Sequence, residues 1–374
     1  MIKIAFSERL KDFPLEDLKK WFVENKRSFP WRDNPSPYYV WVSEVMLQQT
    51  RAEVVVKYFL NWMDLFPTIE ALAKAKEEEV IKTWEGLGYY TRARNLLEGA
   101  RLVMENFGGN LPSDPVELKK IKGLGPYTIH AILAFAFKQR TAAVDGNVLR
   151  VMSRVFLIEA SIDLESTKTW ISRIVQIILP KKDPQLVAEA LIELGACICK
   201  RAPLCEKCPL RSICGAYQKG EQRSLPIRHE RKKIITLFRW VAVIIYGDSI
   251  VLEQRKPEEI MAGLYEFPYI EVNTSQDLLD TEALIGQMEN LTGASLTLCG
   301  DFAEQKQSFT HYRVRLVPKI LKALSLPKLC SLYPISSIDS LPFSSGHRKI
   351  KNLILENLHN YESLLISEVC SHDA

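Results

Sequence analysis

The chain has 374 residues, of which 47% are hydrophobic and 25% charged, an ordinary globular composition with material for more than one core. A formal net charge of +4 is mildly basic: it permits a nucleic-acid partner if the basic residues cluster, without arguing for one. No run of about twenty apolar residues occurs, which excludes a helical membrane span.

The start, MIKIAFSERLKDFPLEDLKKWF, turns amphipathic at once and carries acids. It lacks the apolar stretch of a secretory signal and is too acidic for a transit peptide, so a cytoplasmic protein of bacterial type is expected. Up to about residue 220 the pattern is helical. Apolar residues recur at three- and four-residue spacing over 16–26, 38–49, 53–66, 91–107, 127–138 and 147–157, with Gly, Pro, Asn and Asp between them. The stretch RSLPIRHERKK is polar and basic and reads as a linker over 222–236. Beyond it, ITLFRWVAVIIYG and SIVLEQRK predict two strands joined at Gly247 and Asp248. SFTHYRVRLVPKI alternates like a half-buried strand, and SGHRKIKNLILENL reads as a closing helix. The expected architecture is a mainly α region over 1–221 followed by a smaller mixed α/β domain over 237–374.

Four of the eight cysteines, Cys199, Cys205, Cys208 and Cys214, fall in one short stretch; Cys197 lies just upstream, and Cys299, Cys330 and Cys370 are scattered. Clustered cysteines in a cytosolic chain of this size favour a metal site over disulfides. Soft thiolates at this spacing suit an iron–sulfur cluster or zinc. Lys200, Arg201, Lys207 and Arg211 in the same loop form either a phosphate-contacting surface or a solvated face.

Upstream, residues 118–135 read LKKIKGLGPYTIHAILAF. Gly123 and Gly125 allow a tight turn between two helices, and Pro126 suits the first turn of the second. Free amides at that helix start can bind a phosphate oxygen, although such a turn is by itself a weak signal. Two carboxylates stand out. Glu44 lies in the apolar helical stretch VWVSEVMLQQT; taken alone it is expected at the surface, whereas burial in a cavity raises a carboxyl's pKa. Asp145 in AAVDGNVLRVMSRVF precedes a helix and reads as an N-cap, which also holds a carboxylate ionised and well placed. Cleavage of a glycosidic bond needs this combination, one protonated acid for the leaving group and one carboxylate for the sugar cation.

Together these segments resemble the MutY family of adenine DNA glycosylases within the helix–hairpin–helix superfamily. The matching text is PWR (30–32), SEVMLQQT (43–50), GLGYYTRARNL (86–96), GLGPYT (123–128), VDGNV (144–148), EALIELGA (189–196) and the cysteine loop (199–214). The resemblance implies a hydrolase of base excision repair, with a 4Fe–4S cluster held by Cys199, Cys205, Cys208 and Cys214. Its substrate is adenine mispaired with 8-oxoguanine or guanine in double-stranded DNA, reached by base flipping. A monomer with no membrane association is expected. The resemblance makes Glu44 the general acid and Asp145 the carboxylate for the sugar cation, with Tyr127 and Asn147 as supporting neighbours. Arg32 and Glu189 line the adenine pocket, Gln49 and Tyr89 enter the base stack, and Thr50 and Leu87 touch the oxidised guanine. Gly123 and Gly125 face a DNA phosphate. Bifunctional relatives such as endonuclease III carry a nucleophilic lysine where Tyr127 stands, so base removal without strong strand cleavage is implied. Lys138 is the next lysine, and Lys120 and Lys122 read as phosphate-side residues.

The second domain resembles the family's Nudix-like module through GLYEFP (263–268) and through Phe309, Thr310 and His311, which match its loop for 8-oxoguanine. Four departures from the family pattern stand out. The first cysteine gap is five residues where the family usually has six, so either Cys199 ligates through a tightened loop or Cys197 replaces it; Cys199 is favoured by its spacing from Gly195 and Ala196. His130 replaces a usual glycine, and Thr310 a usual serine. No REx2EE signature follows GLYEFP, so pyrophosphatase activity is not expected.

Overall fold

The computed structural model describes residues 2–230, 233–256 and 258–357. Two compact units divide the chain, one formed by residues 1–75 with 94–230 and the other by 76–93 with 231 onward. Among the described residues no helix is long and apolar enough to cross a membrane.

The first unit is helical, and the predicted helices are all present, Thr91–Phe107 with the expected bounds and the others with shifted ends. The helix Pro37–Leu47 starts where Ser36 accepts a hydrogen bond from the Tyr39 amide at 3.2 Å and Pro37 fills the first helical position. It is buried on nearly every side, from Tyr38 through Met46, as an apolar helix inside a core must be. It stops two residues short of the predicted end because Gln49 takes φ 58°, which a right-handed helix cannot hold. The helix Gly146–Val155 packs its apolar stripe (Val148, Val151, Met152, Val155) against Val187, Leu191 and Leu194 of the helix Pro184–Cys197. Each such side chain contributes roughly 1.5–3 kcal/mol by leaving water. Gly195 lets these helices close: a Cβ there would meet the Asn147 Cβ at 2.5 Å.

The second unit is built on an eight-stranded mixed sheet whose path runs β3 (Tyr265–Glu266), β2 (Ser249–Gln254), β1 (Ile235–Tyr246), β7 (Tyr312–Ala323) and β5 (Leu296–Asp301). Strand β1 (Ile235–Tyr246) and β7 (Tyr312–Ala323) run parallel over Ile235↔Tyr312 to Ile245↔Lys322. The run from Trp240 to Ile245 is apolar throughout because β1 is covered on both faces. Val241, Val243 and Ile245 enter one core, and Trp240, Ala242 and Ile244 the other. The expected hairpin to β2 (Ser249–Gln254) is present, with Gly247 at φ 56° in its turn. The closing helix is Ser345–Glu356; Cys370 lies outside the described residues.

The stretch SFTHYRVRLVPKI is not one strand. Strand β6 (Gln305–Phe309) ends at Phe309, and the chain reverses at Thr310 and His311 into β7, so Phe309 pairs with Tyr312. Alternation continues on both sides of a two-residue turn, which hides the turn in a sequence without Gly or Pro there.

Candidate active site

Eight of the sequence-derived site residues meet in one cleft of the helical unit: Arg32, Glu44, Gln49, Thr50, Tyr127, Asp145, Asn147 and Glu189. Glu44 does not face solvent; it is 7% exposed, and its Oε2 accepts a hydrogen bond from the Tyr127 hydroxyl at 2.8 Å. Burial pushes its carboxyl up to about 7, with the Tyr127 bond pulling the other way and the negative charge of Asp145 adding to the rise. Such a group is partly protonated at neutral pH and can give its proton away. Tyr127 is itself held well above the ordinary phenol range, by burial and by the two carboxyls, so it remains a donor.

Asp145 caps its helix, as its sequence context predicts. Its Oδ1 accepts from the Asn147 and Val148 amides at 2.9 and 2.8 Å, and its Oδ2 from Asn147 Nδ2 at 2.7 Å. Desolvation raises its carboxyl above the ordinary value, while these three bonds oppose the rise. Sequence reasoning missed Arg150. Its Nη2 donates to Asn147 Oδ1 at 2.8 Å and to the Gly195 carbonyl at 2.8 Å, and its Nε to the Cys199 carbonyl at 2.7 Å. The three-residue offset from Asn147 on a helix was the available signal. Arg27 and Glu193, which also line the cleft, were missed too; no local pattern marks either.

The hairpin has the expected form: Gly123 at φ 86°, Gly125 as N-cap and Pro126 opening the helix Pro126–Phe135. His130 sits half-buried with Nδ1 3.1 Å from the Ala142 carbonyl oxygen, which ties this helix to the segment leading to Asp145. Lys120 and Lys122 pair with Glu117 and Glu98 at 2.7 and 2.6 Å. A Cβ on Gly123 would meet the Asn95 Cβ at 2.6 Å. Gly123→Ala is therefore expected to cost roughly 1–3 kcal/mol in backbone strain alone, measured as the shift in urea midpoint. An unchanged midpoint would refute this reading of the turn.

Cys199, Cys205, Cys208 and Cys214 line one small pocket together with Val151, Leu194 and Arg154. Arg154, 2% exposed, places Nη1 3.3 Å from Cys199 Sγ and 2.6 Å from the Lys200 carbonyl oxygen. Burial pushes the Cys208 thiol up to about 12. Cys197 turns elsewhere: its thiol lies 3.3 Å from Glu193 Oε1. Among the described residues no three metal-binding side chains converge on one point. Four soft sulfurs around an apolar-walled pocket are nevertheless a donor set whose chemistry fits an iron–sulfur cluster.

The remaining site residues lie in the second unit. The segment 76–93 is fastened there: Glu85 accepts from the Phe343 amide at 2.8 Å, and Lys82 donates to the Asp339 and Leu341 carbonyls at 2.6 and 2.9 Å. Leu87 is buried, and Tyr89 is 49% exposed at φ 49°. Thr310 is exposed at φ 50°, between half-buried Phe309 and His311. Left-handed backbone at Gln49, Tyr89 and Thr310 is uncommon for such residues and is tolerated where the surroundings impose it.

Residues 42–176 match the family described as HhH-GPD superfamily base excision DNA repair protein, and residues 240–353 match the NUDIX domain. An adenine DNA glycosylase of Buchnera aphidicola subsp. Baizongia pistaciae (strain Bp) is 34% identical over 256 residues, covering 68% of this chain and 72% of that protein. The chain belongs to the adenine DNA glycosylase family. The human adenine DNA glycosylase is 34% identical over 358 residues, 79% of this chain and 64% of the human one, so the chain spans just under two thirds of that relative. A solved thermostable thymine-DNA glycosylase superposes with a TM-score of 0.52 at 27% identity, covering 57% of this chain and 99% of its own. The helical unit therefore has the helix–hairpin–helix glycosylase fold, and the second unit is a Nudix domain with a mixed sheet.

Proposed function

We propose that this chain is an adenine DNA glycosylase of base excision repair, hydrolysing the N-glycosidic bond of adenine opposite 8-oxoguanine or guanine in duplex DNA. The observation that carries the reading is the pair of unlike carboxyls in one cleft: Glu44 raised to about 7 beside the Tyr127 phenol, and Asp145 held by two amides and Asn147. Environments that separate two carboxyls mark an acid and its partner.

The bond to be cut is buried in a duplex, so the base must leave the stack and enter the cleft. Protonated Glu44 then gives its proton to a ring nitrogen of the base, and the C–N bond breaks with both electrons going to the neutral leaving base. The positive charge left on the sugar falls to the Asp145 carboxylate, which stabilises or traps it. Ionised Glu44 next takes a proton from the attacking water, which restores the acid. Tyr127 is a phenol and forms no Schiff base, which supports base release without strand cleavage.

Cys199, Cys205, Cys208 and Cys214 would hold a 4Fe–4S cluster, with Arg154 beside the Cys199 sulfur. A cluster held there would brace the loop that carries Lys200, Arg201, Lys207 and Arg211, whose charges suit DNA phosphates. Phe309, Thr310 and His311 at their turn, with Gln49, Thr50, Leu87 and Tyr89, are assigned to the orphaned 8-oxoguanine and the base stack.

Single-turnover excision from duplexes with adenine opposite 8-oxoguanine, guanine or thymine tests this reading, each product being sized with and without alkali. The expected result is alkali-dependent scission, fastest opposite 8-oxoguanine and absent opposite thymine. No adenine release from cluster-loaded protein would overturn it, and scission without alkali would overturn the monofunctional chemistry.

A further inference from the structure

Glu193 stands one turn beyond Glu189 on the helix Pro184–Cys197, and its side chain is 0% exposed. Its Oε1 accepts from Arg27 Nε at 2.6 Å, from the Arg27 amide at 3.3 Å and from Cys197 Sγ at 3.3 Å. Its Oε2 accepts from Arg32 Nη2 at 2.9 Å and from Arg27 Nη2 at 3.3 Å. Burial works against the charge, but these bonds and the two guanidinium charges hold the carboxyl down at about 2. Glu193 is thus a permanent buried anion at the wall of the cleft.

It fixes both arginines. Their guanidinium carbons lie 5.1 and 5.2 Å from the centre of the Phe29 ring, and Arg32 Nη1 donates to the Arg27 carbonyl at 2.9 Å. Two of the three Arg32 nitrogens are therefore committed to internal acceptors. The contact with Glu189 is made from Nε, at a long 3.4 Å. Without Glu193, Arg32 would be free to rotate and close a bidentate pair on Glu189, the geometry a guanidinium and a carboxylate favour.

We propose that Glu193 is the positioning residue of the base-binding wall and sets its preference for a 6-aminopurine. By holding Arg27 and Arg32, it keeps the Glu189 carboxyl open as an acceptor for an exocyclic amine. A base without that amine leaves the acceptor unpaired, which is how a polar site rejects a close analogue. The inference rests on the proposed excision of adenine and adds the residue that makes the pocket selective.

The test is Glu193→Gln in the full-length, cluster-loaded protein, with Glu193→Asp beside it. Single-turnover rates, normalised to active sites, are measured on duplexes carrying adenine or a purine unsubstituted at position 6. Glutamine keeps the shape and removes the charge. The expected result is a fall of about 100-fold in the adenine rate, the size of effect that a misplaced binding group produces. The ratio of adenine to unsubstituted-purine rates should fall about tenfold with it, and aspartate should restore part of that ratio. A ratio unchanged from wild type, however large the overall loss, makes Glu193 structural only and overturns the inference. Wild-type protein that releases no adenine overturns the functional reading itself, and the inference falls with it.

Discussion

Glu44→Gln is expected to lower the single-turnover rate by about 10³–10⁴-fold, near the top of the range for a general acid–base group, because in the proposed mechanism the residue gives a proton in one step and takes one in the next. Affinity for the mispaired duplex should change little, since most of it comes from phosphate contacts away from the cleft. The wild-type rate should also report the group's unusual proton affinity. With the carboxyl at about 7, its protonated fraction falls tenfold for each pH unit above that value, so the rate declines through neutral into alkaline pH. Stability depends on pH in the same direction. A carboxyl whose folded value lies above its unfolded one binds its proton more tightly in the native state, so its contribution to stability is present at low pH and lost as pH rises through about 7. Glutamine removes that loss, and the variant should melt higher than wild type at pH 8.5 while remaining inactive. A variant that excises adenine at the wild-type rate would end the assignment of Glu44 as the acid.

Burial of Glu44 was not legible in its own surroundings. Residues 40–49 carry apolar side chains on every face, and a helical glutamate in isolation is expected to point outward. What buries it is the arrival of Tyr127 and Asp145 from segments eighty to a hundred residues away, and no local period reports that. Asp145 was easier: an N-cap is a local device, and the carboxylate that caps the helix also lines the cleft. Motif resemblance supplied the pair; chain periodicity alone supplied one member of it.

Turns divided in the same way. The β1–β2 hairpin announced itself by Gly247, whereas the β6–β7 turn at Thr310 contains no glycine, proline or asparagine, and its flanking alternation read as a single strand. Arg27 and Glu193 were hidden for a third reason: each acts through side chains on other elements, and charged residues are ordinarily solvated. Arg150 left only its three-residue offset from Asn147 on its own helix. The sequence therefore marked the groups that meet in the cleft and passed over Arg27 and Glu193, whose partners lie on other elements.

The shortened cysteine spacing leads to the sharpest contrast between two neighbouring residues. Cys197 is the last residue of its helix, four positions after Glu193, so its side chain lies on the Glu193 face and its thiol stands 3.3 Å from that carboxylate. Cys199 is past the helix end, where its sulfur enters the pocket shared with Cys205, Cys208 and Cys214 and meets Arg154 at 3.3 Å. Cys199→Ser should therefore strip most of the protein-bound iron and the visible absorbance. It should also destabilise the helical unit heavily, because a bound structural metal centre is part of the folding free energy, about 10 kcal/mol or more in small zinc domains. Cys197→Ser should keep both iron and spectrum, since a serine hydroxyl can still donate to Glu193. Iron per chain, absorbance and melting temperature of the two variants decide the matter together. Loss of iron from Cys197→Ser with retention in Cys199→Ser would move the ligand to the wider gap, and iron retained by both would remove the cluster assignment from this loop. With the expected outcome, Arg150 gains a defined role. Its Nε holds the carbonyl of Cys199 and its Nη2 holds Asn147, so disorder of the loop would reach Asp145 through three hydrogen bonds. Cys199→Ser protein that still folds should then bind duplex weakly and excise adenine slowly at the same time, the second effect arising from Asp145 and not from lost phosphate contacts.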